Sequence, residues 1–240
     1  MLGIIPRLAA VMLAFFFSLN LLNADSFRNR FHWSFSGSLF YFPANNGVDS
    51  DPAPIIPNVG VSVAVQIWGP LRIEITEDLY FTNYEWNLAG HPMACNPENR
   101  AAFVLGFITG IQLTGVFPIR DKGMAVRVYG GPAADLRVIT RAIGLNHPGD
   151  YTGGIENNVN LQTEAIRKYF WSSGRWFMPV VGAGMDFPVS QFFMLGFDLR
   201  VWFPIYKIWA KDSASAIDGW RFGAGIRITP RPRSSRNSSQ

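Results

Sequence analysis

The sequence predicts an all-β fold, an eight-stranded antiparallel transmembrane β-barrel, and three observations carry that prediction. First, hydrophobic residues form 48% of the 240 residues and charged residues only 16%, where an ordinary soluble domain carries about 25% charged. Second, aromatics reach 15%, and there are 23 Gly and 16 Pro, a mixture suited to strands and turns rather than long helices. Third, period-two alternation recurs in segment after segment.

The chain opens with an export signal over residues 1–24: Arg7 gives the positive end, Leu8 to Leu22 is broken only by Ser18 and Asn20, and Ala24 is a cleavage residue. The run is shorter than the roughly 20 residues a membrane-crossing helix needs, so a retained anchor is the lesser reading. No Cys follows it, which excludes lipoprotein processing at that point. Residues 25–230 are then read as the barrel.

Phe31 to Phe42 sets Phe31, Trp33, Phe35, Leu39 and Tyr41 against His32, Ser34, Ser36 and Ser38. Val59 to Ile67 sets valines against Gly60, Ser62, Ala64 and Gln66. After the Gly69-Pro70 turn, Leu71, Ile73 and Ile75 alternate with Arg72, Glu74 and Thr76, continuing through Tyr80. The fourth segment carries Phe103, Leu105, Phe107, Ile111, Leu113 and Phe117 on one face. The fifth sets Met124, Val126, Val128, Leu136 and Val138 against Arg127, Tyr129, Gly131, Asp135 and Arg137. Phe177, Val181, Met185 and Phe187 oppose Gly182, Gly184 and Asp186. Phe193 to Phe203 and Trp220 to Ile228 complete eight, their polar faces bearing Asp198, Arg200, Arg221 and Arg227.

The connections alternate in length. Gly69-Pro70, Pro118 to Gly123 and Pro188 to Gln191 are short; Pro43 to Asn58, Asn83 to Arg100, Thr140 to Gly174 and Lys207 to Ala216 are long. An even strand number with this alternation is the layout of bacterial outer-membrane barrels, with short periplasmic turns and long extracellular loops. Lipid satisfies no backbone hydrogen bond, so a sheet in it must close.

Alternation alone also fits a soluble lipocalin-type barrel with its apolar face inward. The apolar face here carries almost no ionisable group, and an Arg or Lys at the bilayer midplane costs about 2–4 kcal/mol. The polar face is rich in Gly, Ala and Ser, which suits a narrow lumen. Aromatics also fall in two bands: Tyr41, Tyr80, Phe81, Phe103, Trp176, Tyr206 and Trp220 toward the long loops, and Trp33, Trp68, Phe117, Phe192 and Phe193 toward the short turns. Paired bands of this kind are interfacial girdles.

With these features the chain resembles the small outer-membrane barrels typified by the membrane domain of OmpA, OmpX and OmpW. The resemblance covers nearly all of the mature chain and is architectural; Val128-Tyr129-Gly130-Gly131-Pro132-Ala133 is similar to the aromatic-Gly-x-Pro stretches of such barrels. It departs at the end of the chain, where family members often close on an aromatic residue. Here a basic, Ser-rich tail, residues 231–240, follows Pro230 and is expected to be disordered. The resemblance implies location in the outer membrane and one of two roles. One is a narrow, OmpW-like channel for small or amphipathic solutes. The other is a structural or surface-interaction barrel with a salt-bridge-plugged lumen, like OmpA or OmpX, meeting extracellular host or matrix ligands through its loops.

The inward candidates are Arg72, Glu74, Arg127, Asp186 and Arg227 toward the short turns, and Asp135, Arg137, Asp198, Arg200 and Arg221 toward the middle and long loops. An eight-stranded barrel is only wide enough for side chains to fill it, so these charges are expected to pair, with Arg as the bidentate cation. An anion-favouring gated pore uses the same residues. In the third long loop, Asn160 to Trp171 has an Asn cap and helical apolar spacing, and Leu161, Ile166, Phe170 and Trp171 are candidates for a lid over the barrel mouth.

No catalytic residue is assigned. A lipid-modifying enzyme would need a nucleophile beside a base, and His32, His91 and His147 have no Ser near them in a G-x-S-x-G motif. No metal or cofactor is expected: the single Cys95 offers neither disulfide nor zinc spacing. The mature formal charge of +3, the whole-chain +4 less Arg7, is too mild for a nucleic-acid partner. Lipid is the expected partner, and monomer and homo-oligomer both stay open.

Overall fold

In the computed structural model the described residues are 30–42, 55–86, 92–95, 99–119, 123–142, 155, 158–210 and 219–231. The export signal, most of the long loops, the chain beyond Arg231, His91 and His147 lie outside them. Ten strands form, in chain order: β1 (Phe31–Tyr41), β2 (Ile55–Trp68), β3 (Leu71–Trp86), β4 (Pro92–Ala94), β5 (Ala102–Ile119), β6 (Met124–Gly131), β7 (Ala133–Arg141), β8 (Val180–Pro188), β9 (Phe193–Trp202) and β10 (Arg221–Pro230).

Every pairing is antiparallel, and the sheet closes where β1 meets β10, with Phe35 opposite Ile228 and Tyr41 opposite Phe222. Around the wall the order is β1, β2, β3, β5, β6 with β7, β8, β9, β10. β6 and β7 are two halves of one wall strand, broken at Pro132, both pairing with β5. Proline has no N–H for the ladder; its carbonyl still accepts from Ile111 N at 3.0 Å, so the break costs one bond and leaves the alternation in phase. β4 lies outside the ring, on the upper end of β3. Ten segments less β4 and the split strand leave an eight-stranded barrel.

Several boundaries differ from the sequence reading. β2 begins at Ile55, inside the stretch read as loop: Ile55 to Pro57 pair only with β1, ahead of the first residue paired with β3, Asn58, and Pro is tolerated at such a strand start. β3 runs to Trp86 and is answered by β4, which shortens the second long connection at that end. The short turns are tight: Gly69 sits at φ +50°, and Ser190 Oγ accepts from Phe192 N and Phe193 N at 3.1 and 3.2 Å.

The two faces of the wall divide as the period of a strand requires. Leu199 is 67% exposed, Val59 60%, Phe35 and Leu39 55%, a large contiguous apolar exterior of the kind that water-soluble proteins avoid. The inward face holds Ser34, Asn58, Gln112, Asp135, Arg127, Arg137, Arg200 and Arg221, all buried, with Arg72 and Arg227 half-buried. Apolar outside and polar inside is the reverse of a soluble barrel.

Two corrections concern the aromatic bands. Tyr80 and Tyr206 are buried rather than interfacial. Tyr80 has the inward parity of Glu74, and Tyr206 turns under a short 3-10 segment, Ile205–Ile208. The outward face also carries one ionisable group unforeseen within a span: Glu77, midway between Ile73 and Phe81, accepts from Thr109 Oγ1 at 2.6 Å.

Candidate functional site

Beyond its opening at the short turns, the lumen is filled by two groups of ion pairs separated by an aromatic layer. In the half nearer the short turns, Arg127 on β6 reaches Asp186 on β8 at 2.7 Å and Asp198 on β9 at 3.0 Å. Arg227 on β10 holds Glu74 on β3 at 2.8 Å and stands 3.8 and 3.7 Å from Asp186 and Asp198. Glu74 also accepts from Thr114 Oγ1 at 3.0 Å. One step up, Arg200 clasps Asp78 at 2.6 Å and donates to Ser38 Oγ at 2.9 Å. Ser38 donates in turn to Asn58 Oδ1, and Tyr129 OH donates to Asp198 at 3.1 Å, tying the steps together. A residual cavity of about 30 Å³ remains among Thr76, Gln112, Arg127 and Arg200, room for one or two waters.

Above lies an aromatic layer in which Phe40 meets Trp202 and Tyr80 edge to face, with ring centroids 4.9 and 5.9 Å apart. The Arg200 guanidinium lies 5.1 Å from the Trp202 ring centre, so this layer also shields the cation below it. The second group centres on Asp135. Its carboxylate takes Arg137 and Arg221, both at 2.5 Å, and accepts from Tyr80 OH at 2.8 Å.

Glycines on the inner wall make this packing possible. A Cβ at Gly106 would collide with the Tyr80 ring, and one at Gly196 would lie 2.5 Å from Asp186 Oδ1. With such narrow walls, side chains this large must cross the lumen to reach partners on distant strands.

The long-loop mouth is covered by helix α1 (Val159–Trp171), capped by Asn158, whose side chain accepts from Asn160 N and Leu161 N. The cap is therefore two residues before the Asn160 read from sequence. Its buried face, Ile166, Tyr169 and Phe170, packs with Tyr84, Ala102, Val104 and Ile139 from the inner faces of β3, β5 and β7. Phe170 sits 5.0 Å from the Tyr84 ring and under the Arg137 guanidinium at 4.0 Å. Of the four lid candidates, Ile166 and Phe170 make these contacts. Leu161 and Trp171 are exposed, because one lies on the outer side of the first turn and the other where the helix gives way to the 3-10 turn Ser172–Gly174.

Two residues absent from the sequence reading belong to the site. Asp78 is the counterion of Arg200; the alternation that placed Arg72 and Glu74 inward places it inward as well, two steps on. Arg175 is 1% exposed beneath the end of α1, over the Tyr169 ring at 4.1 Å and bonded to Ser172 Oγ at 2.6 Å. It staples the α1 turn to Tyr206, 5.3 Å away, and nothing in its sequence context signals that. Asp198, read with the upper group, bonds downward to Arg127. Arg72 borders the lower group without a close ion pair to it, on the wall of the opening near the short turns.

Closed antiparallel wall, lipid-type exterior and charged interior together define the class: a small eight-stranded β-barrel of the bacterial outer membrane. No family model matches the chain, and no curated protein is detectably similar in sequence. Among solved structures, the chain is similar to the N-terminal β-barrel domain of Pseudomonas aeruginosa OprF, at 11% identity and TM-score 0.35 over 82% of this chain and 96% of that one. It is also similar to Neisserial surface protein A, at 13% identity and TM-score 0.42 over 82% and 96%. Ail of Yersinia pestis, in complex with the heparin analogue sucrose octasulfate, gives 7% identity and TM-score 0.43 over 83% and 96%. These are likenesses of general architecture; the class follows from the barrel's own geometry.

Proposed function

We propose that the protein is a non-conducting barrel, locked by its lumen ion pairs, that serves as a structural and surface-interaction element with its long loops facing outward. The observation that carries this reading is the burial of the lumen charges. Arg127 and Arg221 side chains are 1% exposed and the Asp135 side chain 0%. A permeating ion would have to displace these pairs, and separating a buried pair costs about 3–5 kcal/mol. The aromatic layer and α1 add two more obstructions on the same path. Asn45-Asn46-Gly47 and the stretch from Asp51 to Pro54, ahead of β2, supply polar loop sequence of the kind used for extracellular recognition. No catalytic role is part of this reading.

The narrow channel is the competing reading, and planar-bilayer recording separates the two. The folded chain is expected to give no discrete conductance steps. Steps that change in size on Arg200→Met or Arg137→Met would overturn the locked lumen in favour of the channel.

A further inference from the structure

The end of the lumen below the first ion pairs is open. A cavity of about 870 Å³ opens there toward the short turns, within the range of about 300–1,000 Å³ typical of small-ligand sites. Four arginines line it, Arg72, Arg127, Arg227 and Arg231, against two carboxylates, Glu74 and Asp186. Both carboxylates are already taken, Asp186 by Arg127 and Glu74 by Arg227. Arg72 and Arg231 have no carboxylate in ion-pair reach among the described residues. Arg231 is nonetheless fixed at the rim, its backbone N–H donating to Phe192 O at 2.7 Å and its guanidinium to Ser190 O at 3.1 Å. His32 also lines the cavity, and its buried Nε2 has no hydrogen-bond partner. The remaining wall is mixed, with Ala64, Val116, Ala125 and Met194 as its apolar part beside Ser34, Ser62, Thr114, Gln191 and Thr229.

We propose that this blind pocket binds a phosphate- or carboxylate-bearing group from the periplasmic side, with Arg72 and Arg231 as its cationic clamp and its apolar side chains receiving a short hydrocarbon part. Arg72, with no carboxylate in ion-pair reach, and Arg231, held through a single carbonyl, leave guanidinium donors for an oxyanion, and the neighbouring pairs keep Arg127 and Arg227 from competing for it. The pocket ends at the Arg127 group, so it does not depend on whether the lumen conducts. The same anionic group has two sources, a soluble periplasmic molecule and the headgroup of an inner-leaflet lipid.

The test is the rate at which phenylglyoxal modifies Arg72, read by mass spectrometry on the full folded chain in nanodiscs. In phosphatidylcholine discs, inorganic phosphate is expected to protect Arg72 saturably, and Arg231→Gln, with unchanged gel mobility of the folded form, is expected to weaken that protection. Protection without added phosphate in discs containing phosphatidylglycerol assigns the pocket to a lipid headgroup. Equal modification of Arg72 in all of these conditions overturns the proposal, as does protection that extends equally to Arg167, which is exposed on α1 at the other end.

Discussion

Asp135→Ala is the perturbation that bears most sharply on how the barrel is held together. Asp135 is the anion shared by two buried guanidiniums, Arg137 and Arg221, each at 2.5 Å, and by the Tyr80 hydroxyl at 2.8 Å. Removing it takes the shared anion from both cations, and Arg221 Nε and Nη1 already have no partner. Breaking one buried pair costs about 3–5 kcal/mol, and because two pairs share this anion Asp135→Ala is expected toward the top of that range. Arg137 retains the Phe170 face and Arg221 the Phe42 face, at 4.0 and 4.8 Å, which offsets part of the loss. The assay is urea unfolding in the presence of phospholipid vesicles, followed by circular dichroism and by the mobility of the unheated band. Asp135→Ala with Arg221→Met is expected to be more stable than Asp135→Ala alone, since the double variant removes the uncompensated charge. A loss under about 1 kcal/mol for Asp135→Ala would mean the cluster behaves as a solvated surface pair, and the locked-lumen reasoning would be wrong.

Three further outcomes follow from particular contacts. Glu77→Leu removes the carboxyl from the lipid face and is expected to stabilise the barrel by about 1 kcal/mol in the same unfolding assay, since acidic groups at mid-depth cost less than the 2–4 kcal/mol of Arg or Lys and the 2.6 Å bond from Thr109 is lost with it. Arg127→Met leaves Asp186 and Asp198 only the longer contacts to Arg227, at 3.8 and 3.7 Å, whereas Arg221→Met removes a side chain with two unpartnered nitrogens and leaves Asp135 its pair with Arg137; the Arg127 variant is expected to be the less stable of the two. Phe170→Ala empties the core beneath α1 at a cost of about 3–5 kcal/mol, and bilayer recording is expected to find it still silent, because both groups of ion pairs lie below it.

The strand pattern and the inward charges were legible because a strand has a fixed period: once Trp33, Val61 or Phe197 is outward, every second residue is outward too. The same rule, carried two residues further, would have found Asp78, and carried to Glu77 would have flagged the polar group facing lipid. Stopping the third segment's face assignment at Thr76 hid both. Pairing across the barrel was not legible, since Arg227 with Glu74 and Arg200 with Asp78 join strands far apart in sequence, and their meeting depends on strand tilt and register. Tyr80 was misplaced because an aromatic near a strand end looks interfacial until its parity is counted. The helix in the third loop was visible from its spacing, but which of its residues would touch the barrel depended on its rotation about its own axis. Arg175 had no signal, because its role arises from two turns brought together only by the fold.

The central claim is the direction in which the wall faces. Single nitroxide labels at positions 59 to 63 on β2 and 196 to 200 on β9, in a Cys95→Ser background and in lipid bilayers, measure it residue by residue. Labels at 59, 61, 63, 197 and 199 are expected to collide with membrane-dissolved oxygen, and those at 60, 62, 196, 198 and 200 to be shielded from it. The opposite phase, or no alternation at all, would contradict the account.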